Sequence, residues 1–487
     1  MAQVTLDIER RRQQKPVPPP PQDLYAKRAQ IYPKLAHGTF RSVKWAVMVI
    51  ALIVYYGLPW IRWERGAGIP DQAVLADFAS EKFYFFFIEI WPQDIHFLAG
   101  LMIMAALGLF LVTSVLGRVW CGYACPQTVW TDLYIWVERA FEGDRAARMR
   151  LDNAPMSFNK LWRKLGKHTV WLVIAFWTGG AFILYWHDAP TVARGWFTGE
   201  APLSAYWFAG ILTFTTYALA GIMREQLCTY MCPWPRIQGA LTDEHALNVT
   251  YRYDRGEPRG PHHKGESWEG RGDCIDCKQC VQVCPVGIDI RDGPQLECIH
   301  CALCVDACNE IMVRIDRPKG LIAYDTDGAI EARETGQPYK FRLFRARTVL
   351  YATLIAAIGS LMLYGLSTKA TFEVNLLKDR GPAFVRMSDG SIQNGYTLKL
   401  VNKDSTSRTL DVSLSGMPGA VFSVIGIEDD SLSEVRLPVA AFGVDRYRML
   451  VRVPEEAASS GSPLSVTVID PASGETHTNR VPFQAPD

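Results

Sequence analysis

Cys274-Ile275-Asp276-Cys277-Lys278-Gln279-Cys280-Val281-Gln282-Val283-Cys284-Pro285 is followed closely by Cys298-Ile299-His300-Cys301-Ala302-Leu303-Cys304-Val305-Asp306-Ala307-Cys308, and both runs space their cysteines x2, x2, x3. Three closely spaced thiolates can hold three irons of a cubane. The fourth cysteine of each run is carried off by the turn before it and ligates the other cluster. The spacing therefore predicts a bacterial-type two-cluster ferredoxin domain of α+β class. One [4Fe-4S] cluster would use Cys274, Cys277, Cys280 and Cys308, and the other Cys298, Cys301, Cys304 and Cys284. Zinc modules and disulfide frameworks also use Cys-x2-Cys pairs, but zinc has no reason to prefer the doubled run. A chain so equipped moves single electrons.

The remaining sequence places this domain beside a membrane. The chain has 487 residues, formal net charge +1, 15 Trp and 22 Phe, and a mean hydropathy near zero, a composition of apolar spans diluted by soluble parts. Such a balance gives no basic face for nucleic acid. Five nearly uncharged stretches approach the roughly 20 residues that cross a bilayer: Val43 to Ile61, Ile95 to Gly117, Val170 to Trp186, Ala205 to Met223 and Thr348 to Leu366. The aromatic run Phe83 to Trp91 carries Glu89 and stops at Pro92, so it is expected to dip into or lie on the interface. Met1 to Lys34 lacks the short apolar core and small-residue cleavage site of a signal peptide. Its proline-rich part, Lys15 to Pro21, reads as an extended, solvated leader or a recognition ligand.

Lys and Arg are dense before the first stretch (Arg10, Arg11, Arg12, Lys15, Lys27, Arg28, Lys34, Arg41, Lys44) and after the second (Arg118, Arg139, Arg145, Arg148, Arg150, Lys160, Arg163, Lys164, Lys167), but sparse in Arg62 to Asp94 and His187 to Ser204. The bias predicts a cytoplasmic N-terminus and ferredoxin, with the fifth stretch exporting the C-terminus. Thiolate-held clusters suit a reducing compartment, and Thr371 to Asp487 contains no cysteine. Within that tail, Tyr396 to Val401, Leu410 to Leu414, Ala420 to Ile425, Tyr447 to Val453 and Leu464 to Ile469 alternate in polarity. They are broken by Asp389-Gly390, Asn394-Gly395 and Ser473-Gly474. About seven such strands predict an all-β immunoglobulin-like sandwich, read as a packing or docking module.

The expected layout is thus a multi-domain membrane protein: a flexible segment 1–40, a four-span domain 41–225, a cytoplasmic ferredoxin with linkers 226–345, a fifth span 346–368 and an exported sandwich 369–487. The other four cysteines form two hexapeptides, Cys121-Gly122-Tyr123-Ala124-Cys125-Pro126 and Cys228-Thr229-Tyr230-Met231-Cys232-Pro233, each just past an apolar stretch. On a helix continued to the proline, cysteines four apart share a face and can hold one metal or oxidise to a disulfide. Soft thiolates favour Cu(I), while four together also suit zinc or a third cluster, and free cysteines also simply pack helices. His96 and His187 could serve a haem or quinol site, Glu89, Asp94, Met102 and Met104 an outer copper or proton site, and His300 could tune a cluster by a hydrogen bond. His262-His263 reads as solvated linker.

Gly117-Arg118-Val119-Trp120-Cys121-Gly122-Tyr123-Ala124-Cys125-Pro126-Gln127-Thr128-Val129-Trp130, Arg255 to Gly260, Gly272 to Cys277, Gly287 to Arg291 and Glu297-Cys298-Ile299 resemble the cytochrome c oxidase accessory protein family, CcoG, also called FixG or RdxA. The resemblance runs from Ile31-Tyr32-Pro33 to Gly320-Leu321-Ile322. One difference lies between the two runs themselves: proline follows Cys284 but Asn309 follows Cys308. The resemblance implies an inner-membrane protein that supports assembly of cbb3-type oxidase by reducing Cu(II) to Cu(I). It places the ferredoxin role on the eight clustered cysteines and copper reduction on Cys121, Cys125, Cys228 and Cys232. Implied partners are the membrane, copper ion, a copper chaperone or transporter, oxidase assembly factors and a cytoplasmic electron donor. Two other readings stay open, a quinol-linked membrane ferredoxin and a non-catalytic assembly scaffold.

Overall fold

A computed structural model describes residues 30–486 apart from 66–68, 264, 369, 371, 380, 405, 428–432 and 459–460. The proline-rich run Lys15 to Pro21 lies outside the described residues. The chain divides into two compact units, one running to Met362 and the other built from Leu363–Asp487 with Arg65–Ile69.

Uncharged apolar runs become helices because, away from water, only a helix satisfies its own backbone. Four helices among the described residues are long and apolar enough to cross a membrane: Thr39–Trp60, Ile95–Leu116, Leu203–Met223 and Ala346–Ser367. Large apolar side chains such as Ile53, Ile103, Phe214 and Leu361 stand exposed on them. The expected Val170 to Trp186 stretch falls in the helix Phe158–Ile183. That helix opens with Lys160, Arg163, Lys164 and Lys167 and ends three residues early, which shortens its apolar part. It packs against Leu203–Thr216, where a Cβ on Gly179 would meet the Ala209 carbonyl oxygen at 2.8 Å and the Thr213 nitrogen at 2.9 Å. Only glycine lets the two backbones approach so closely.

Two expectations change. Phe83 to Trp91 is not an interfacial dip but part of a three-stranded antiparallel sheet, β1 (Val74–Asp77), β2 (Lys82–Phe85) and β3 (Ile88–Ile90). Its aromatic and β-branched residues favour a pleated surface, and Tyr84 and Trp91 are buried there. Several cations counted as loop charges are also buried in ion pairs. Arg41 meets Asp132 at 2.8 Å, while Arg148 at 2.6 Å, Arg224 at 3.0 Å and Lys167 at 3.5 Å surround Glu138. Burial pushes the Glu138 carboxyl up, but Arg224, Arg148 and Lys167 outweigh it and hold the group below its ordinary value.

The cysteine-rich part is framed by an antiparallel pair, β4 (Asn248–Tyr251) and β5 (Ile322–Asp325), with the helices Gln279–Val283 and Leu303–Arg314 between them in sequence. Its core joins Val249, Val305, Met312, Leu321 and Ile322 to Cys274, Cys280 and Cys298. Asp306 on the second helix reaches the start of the first apolar helix, accepting the Arg41 N–H at 2.8 Å and the Phe40 N–H at 3.3 Å. These are N–H groups that a helix cannot satisfy internally. Gly38 precedes them, and any Cβ there would collide with the Asp306 carboxyl.

The second unit holds β6 (Phe372–Lys378), β7 (Val385–Arg386), β8 (Ile392–Asn402), β9 (Arg408–Ser415), β10 (Val421–Val424), β11 (Glu434–Val439), β12 (Val444–Val453), β13 (Pro463–Ile469) and β14 (Thr476–Pro482). One antiparallel sheet runs β10-β12-β8-β6 with β7 also on β8, and the other β11-β9-β13-β14. Strict alternation, as in β8 and β11, turns every second side chain into a core of Phe372, Tyr396, Leu398, Val412, Phe422, Met449 and Val466. All five alternating runs form strands of this sandwich, the third only over Val421–Val424, but Asn394-Gly395 does not break a strand: it lies inside β8, paired with β12.

Candidate metal centres

The two cysteine runs fold alike. In each Cys-x2-Cys-x2-Cys loop the residues flanking the middle cysteine adopt left-handed backbone: Asp276 (φ 54°) and Lys278 (φ 55°) around Cys277, His300 (φ 53°) and Ala302 (φ 57°) around Cys301. Non-glycine residues take this conformation at a cost. Its repetition wraps both loops around an interior. One cavity is lined by Cys284, Cys298, Cys301 and Cys304 with Val286, Ile288 and Leu303. The other is lined by Cys274, Cys277 and Cys308 with Tyr251, Met312 and Leu321. Cys280 stands on the wall of both. Burial pushes the thiols of Cys280, Cys298 and Cys308 up to about 12 and that of Cys284 to about 11. Without iron these groups keep their protons. Eight sulfurs lining two pockets, with no carboxylate among the linings, fit iron-sulfur clusters. No three His, Cys, Asp or Glu among the described residues are grouped closely enough for a single metal ion. Thiolates on one zinc would each lie about 2.3 Å from it.

The other four cysteines also converge, though not as cysteines on one helix face. The helix Val119–Tyr123 ends before Cys125, whose backbone is extended (ψ 129°), and Pro126 opens the next helix, Pro126–Glu142. Cys228 lies in the π-helical turn Leu227–Met231, and Cys232 is extended (ψ 122°) before Pro233. The residue before a proline is driven to this conformation, and Cys284 before Pro285 shows it again (ψ 121°). All four are half-buried free thiols. Cys121 is pushed up to about 12 by burial and by Cys125, Cys228 and Cys232 nearby, against the pull of Arg118. Cys228 rises to about 11 by burial, with Cys125 and Cys232 as neighbours. The Cys121 thiol donates to Gln238 Oε1 at 3.1 Å.

This quartet abuts the cavity of Cys284, Cys298, Cys301 and Cys304. A Cβ on Gly122 would stand 2.8 Å from the Ile299 carbonyl oxygen and 3.0 Å from Cys301 Cα, so the backbone beside Cys121 lies directly on the cysteine loop. Tyr123 Oη donates to the Cys301 carbonyl at 3.2 Å and Tyr324 Oη to the His300 carbonyl at 2.6 Å. Arg118 donates to the carbonyls of Cys298 at 3.2 Å and Pro235 at 2.6 Å, joining both regions. None of Arg118, Gly122 and Gln238 was marked by spacing, since each acts through residues over a hundred positions away.

His300 acts differently from expectation. Its imidazole Nδ1 accepts the Arg118 N–H at 3.2 Å, and burial, with Arg118 adjacent, pushes it down to about 3, so it stays neutral. The hydrogen bond toward Cys298 comes instead from the His300 backbone N–H. His96 packs against Phe97, Met102 is exposed, Met104 lies near Gly359, and His262 stacks on Trp268 with ring centroids 3.9 Å apart. Glu89 and Asp94 sit in or beside the hairpin sheet.

Sequence comparison agrees with this geometry. A family profile described as a 4Fe-4S dicluster domain matches residues 223–327. A second, a 4Fe-4S binding domain, matches 98–142, a stretch whose cysteines are Cys121 and Cys125. A third, the IG-like fold at the C-terminus of FixG, matches 362–486. The nitrogen fixation protein FixG of Rhizobium meliloti is 47% identical over 95% of this chain and 94% of its own. The chain belongs to the FixG/RdxA family. Protein RdxA of Cereibacter sphaeroides is likewise 47% identical, over 89% of this chain and 91% of its own, and RdxB of the same organism 49%, over 83% and 85%. Membership, the dicluster domain and the apolar helices together make this a membrane iron-sulfur electron-transfer protein with an immunoglobulin-like C-terminal domain.

Proposed function

We propose that the protein reduces Cu(II) to Cu(I) at Cys121, Cys125, Cys228 and Cys232 and delivers the product toward assembly of a cbb3-type oxidase. The observation that carries this reading is the packing of Gly122 on the Ile299–Cys301 backbone, which holds a convergent thiol group against one of the two cysteine cavities. The sets Cys274, Cys277, Cys280, Cys308 and Cys298, Cys301, Cys304, Cys284 would each hold a [4Fe-4S] cluster. When bound, such clusters supply single electrons, the number that Cu(II) reduction needs. The copper ion is substrate. Each thiol that engages it gives up its proton, and soft sulfur retains Cu(I) better than Cu(II), favouring the product. The quartet is looser than a one-ion site, so Cys125 and Cys232, at the breaks before their prolines, would close on the metal.

In this reading the Val170 to Trp186 stretch is a fifth crossing, the thiol group lies at the cytoplasmic face of the bacterial inner membrane, and the sandwich is exported. A copper chaperone or transporter would take Cu(I), and a cytoplasmic donor would supply electrons. The test uses purified, iron-loaded protein reduced anaerobically, then given Cu(II), with Cu(I) followed by a chromogenic chelator. Wild type should yield Cu(I), while Cys121→Ser/Cys228→Ser of equal iron and sulfide content should lose most of the rate. Equal rates would sink the copper role and favour a quinol-linked carrier or a scaffold.

A further inference from the structure

Residues that alternate with the sandwich core on β6, β8 and β12 form one outward face. Antiparallel register sets Lys399 of β8 directly opposite Arg446 of β12, with Asn375 of β6 on the other side of Lys399. Like charges directly opposite on a sheet repel and destabilise it. The neighbouring carboxylates are engaged elsewhere: Glu373 pairs with Lys403, Asp379 meets Arg448 at 2.7 Å, and Asp445 accepts the Ala440 N–H at 3.0 Å. Among the described residues no carboxylate pairs with Lys399 or Arg446. Arg448, held by Asp379, follows on β12, and exposed Leu377 and Val444 stand near the pair.

The same register says where this pair sits. Phe372, the first residue of β6, pairs with Asn402, so the Lys399–Arg446 pair, opposite Asn375, lies three residues in from the end of the sheet where the chain enters it. That entry follows the apolar helix Ala346–Ser367 after only four connecting residues. Eight steps of extended chain from Ser367 to Asn375 span at most about 27 Å. If the helix crosses a bilayer, the chain tethers the two cations to within that distance of its headgroups, so they can reach them. We propose that this end of the β6–β8–β12 face binds anionic phospholipid headgroups, with phosphate lying across the Lys399–Arg446 pair and relieving its repulsion.

The experiment uses the full chain in nanodiscs, either of phosphatidylcholine alone or with phosphatidylglycerol added. Lysines are acylated with a water-soluble N-hydroxysuccinimide ester and read one by one by mass spectrometry. Lys399 should react about fivefold more slowly when phosphatidylglycerol is present. The difference should vanish in about 0.5 M salt and in Arg446→Gln, while Lys319 on the ferredoxin serves as the unchanged control. Equal Lys399 reactivity in both lipids would overturn the proposal. Protection that appears only after other membrane proteins are co-reconstituted would overturn it equally, in favour of an acidic protein partner.

Discussion

The ferredoxin part and the sandwich bury apolar surface by the same physics but finish their cores differently. In the sandwich, Phe372, Tyr396, Phe422, Met449 and Val466 close on one another, and its core contains no cysteine. In the ferredoxin part Cys274, Cys280 and Cys298 belong to the core itself, and their side chains line two cavities with the other five cluster cysteines. The first core is made of apolar side chains alone, whereas the second turns thiols inward that would hold inorganic clusters. Cluster loading would therefore be coupled to folding of the ferredoxin part, while the sandwich folds on its own side chains.

The largest effect that would break this contrast is iron removal. Chelation under reducing conditions should abolish the ferredoxin's tertiary signal in near-ultraviolet circular dichroism and leave the sandwich's cooperative melt in place. A ferredoxin that keeps its signal without iron would erase the distinction. Next comes Phe422→Ala, which opens a void in a closed core and should cost about 3–5 kcal/mol. Calorimetry should show only the sandwich transition moving, with iron and sulfide content unchanged. Smallest is Gly122→Ala, where one methyl must fit against Ile299 and Cys301 at a cost of about 1–3 kcal/mol. It should alter the paramagnetic resonance of one reduced centre more than the other, since Gly122 packs on the Cys298–Cys304 loop.

The two parts were also legible in different ways. Cluster spacing is a local code, and both loops could be located from Cys274 to Cys308 without knowing their surroundings. The strands of the sandwich are readable because alternation is local too, although two-residue β7, and β14, whose side chains are mostly polar and none buried, carry little apolar signal. What spacing could not reveal was non-local. The left-handed pairs around Cys277 and Cys301, the contact of Gly122 with Cys301 and the Arg118 bridge depend on partners distant in the chain. The hairpin sheet was missed because Phe83 to Trp91 satisfies an interfacial pattern and a pleated one equally well. The cysteines of each pair would share a helix face only if the helix ran on to its proline, and the prolines that close each hexapeptide instead turn the second cysteine out of the helix.

Asp306 gives the molecule an order of manufacture. The first apolar helix begins at Thr39, but the carboxylate that ties down its opening N–H groups arrives 265 residues later, from a helix of the iron-binding unit. Until the ribosome has delivered that distant segment and its loops have closed, the leading helix waits with a frayed start. A cell short of iron or sulfide would thus accumulate chains whose earliest-made part is still unfastened, offering quality-control proteases a place to begin.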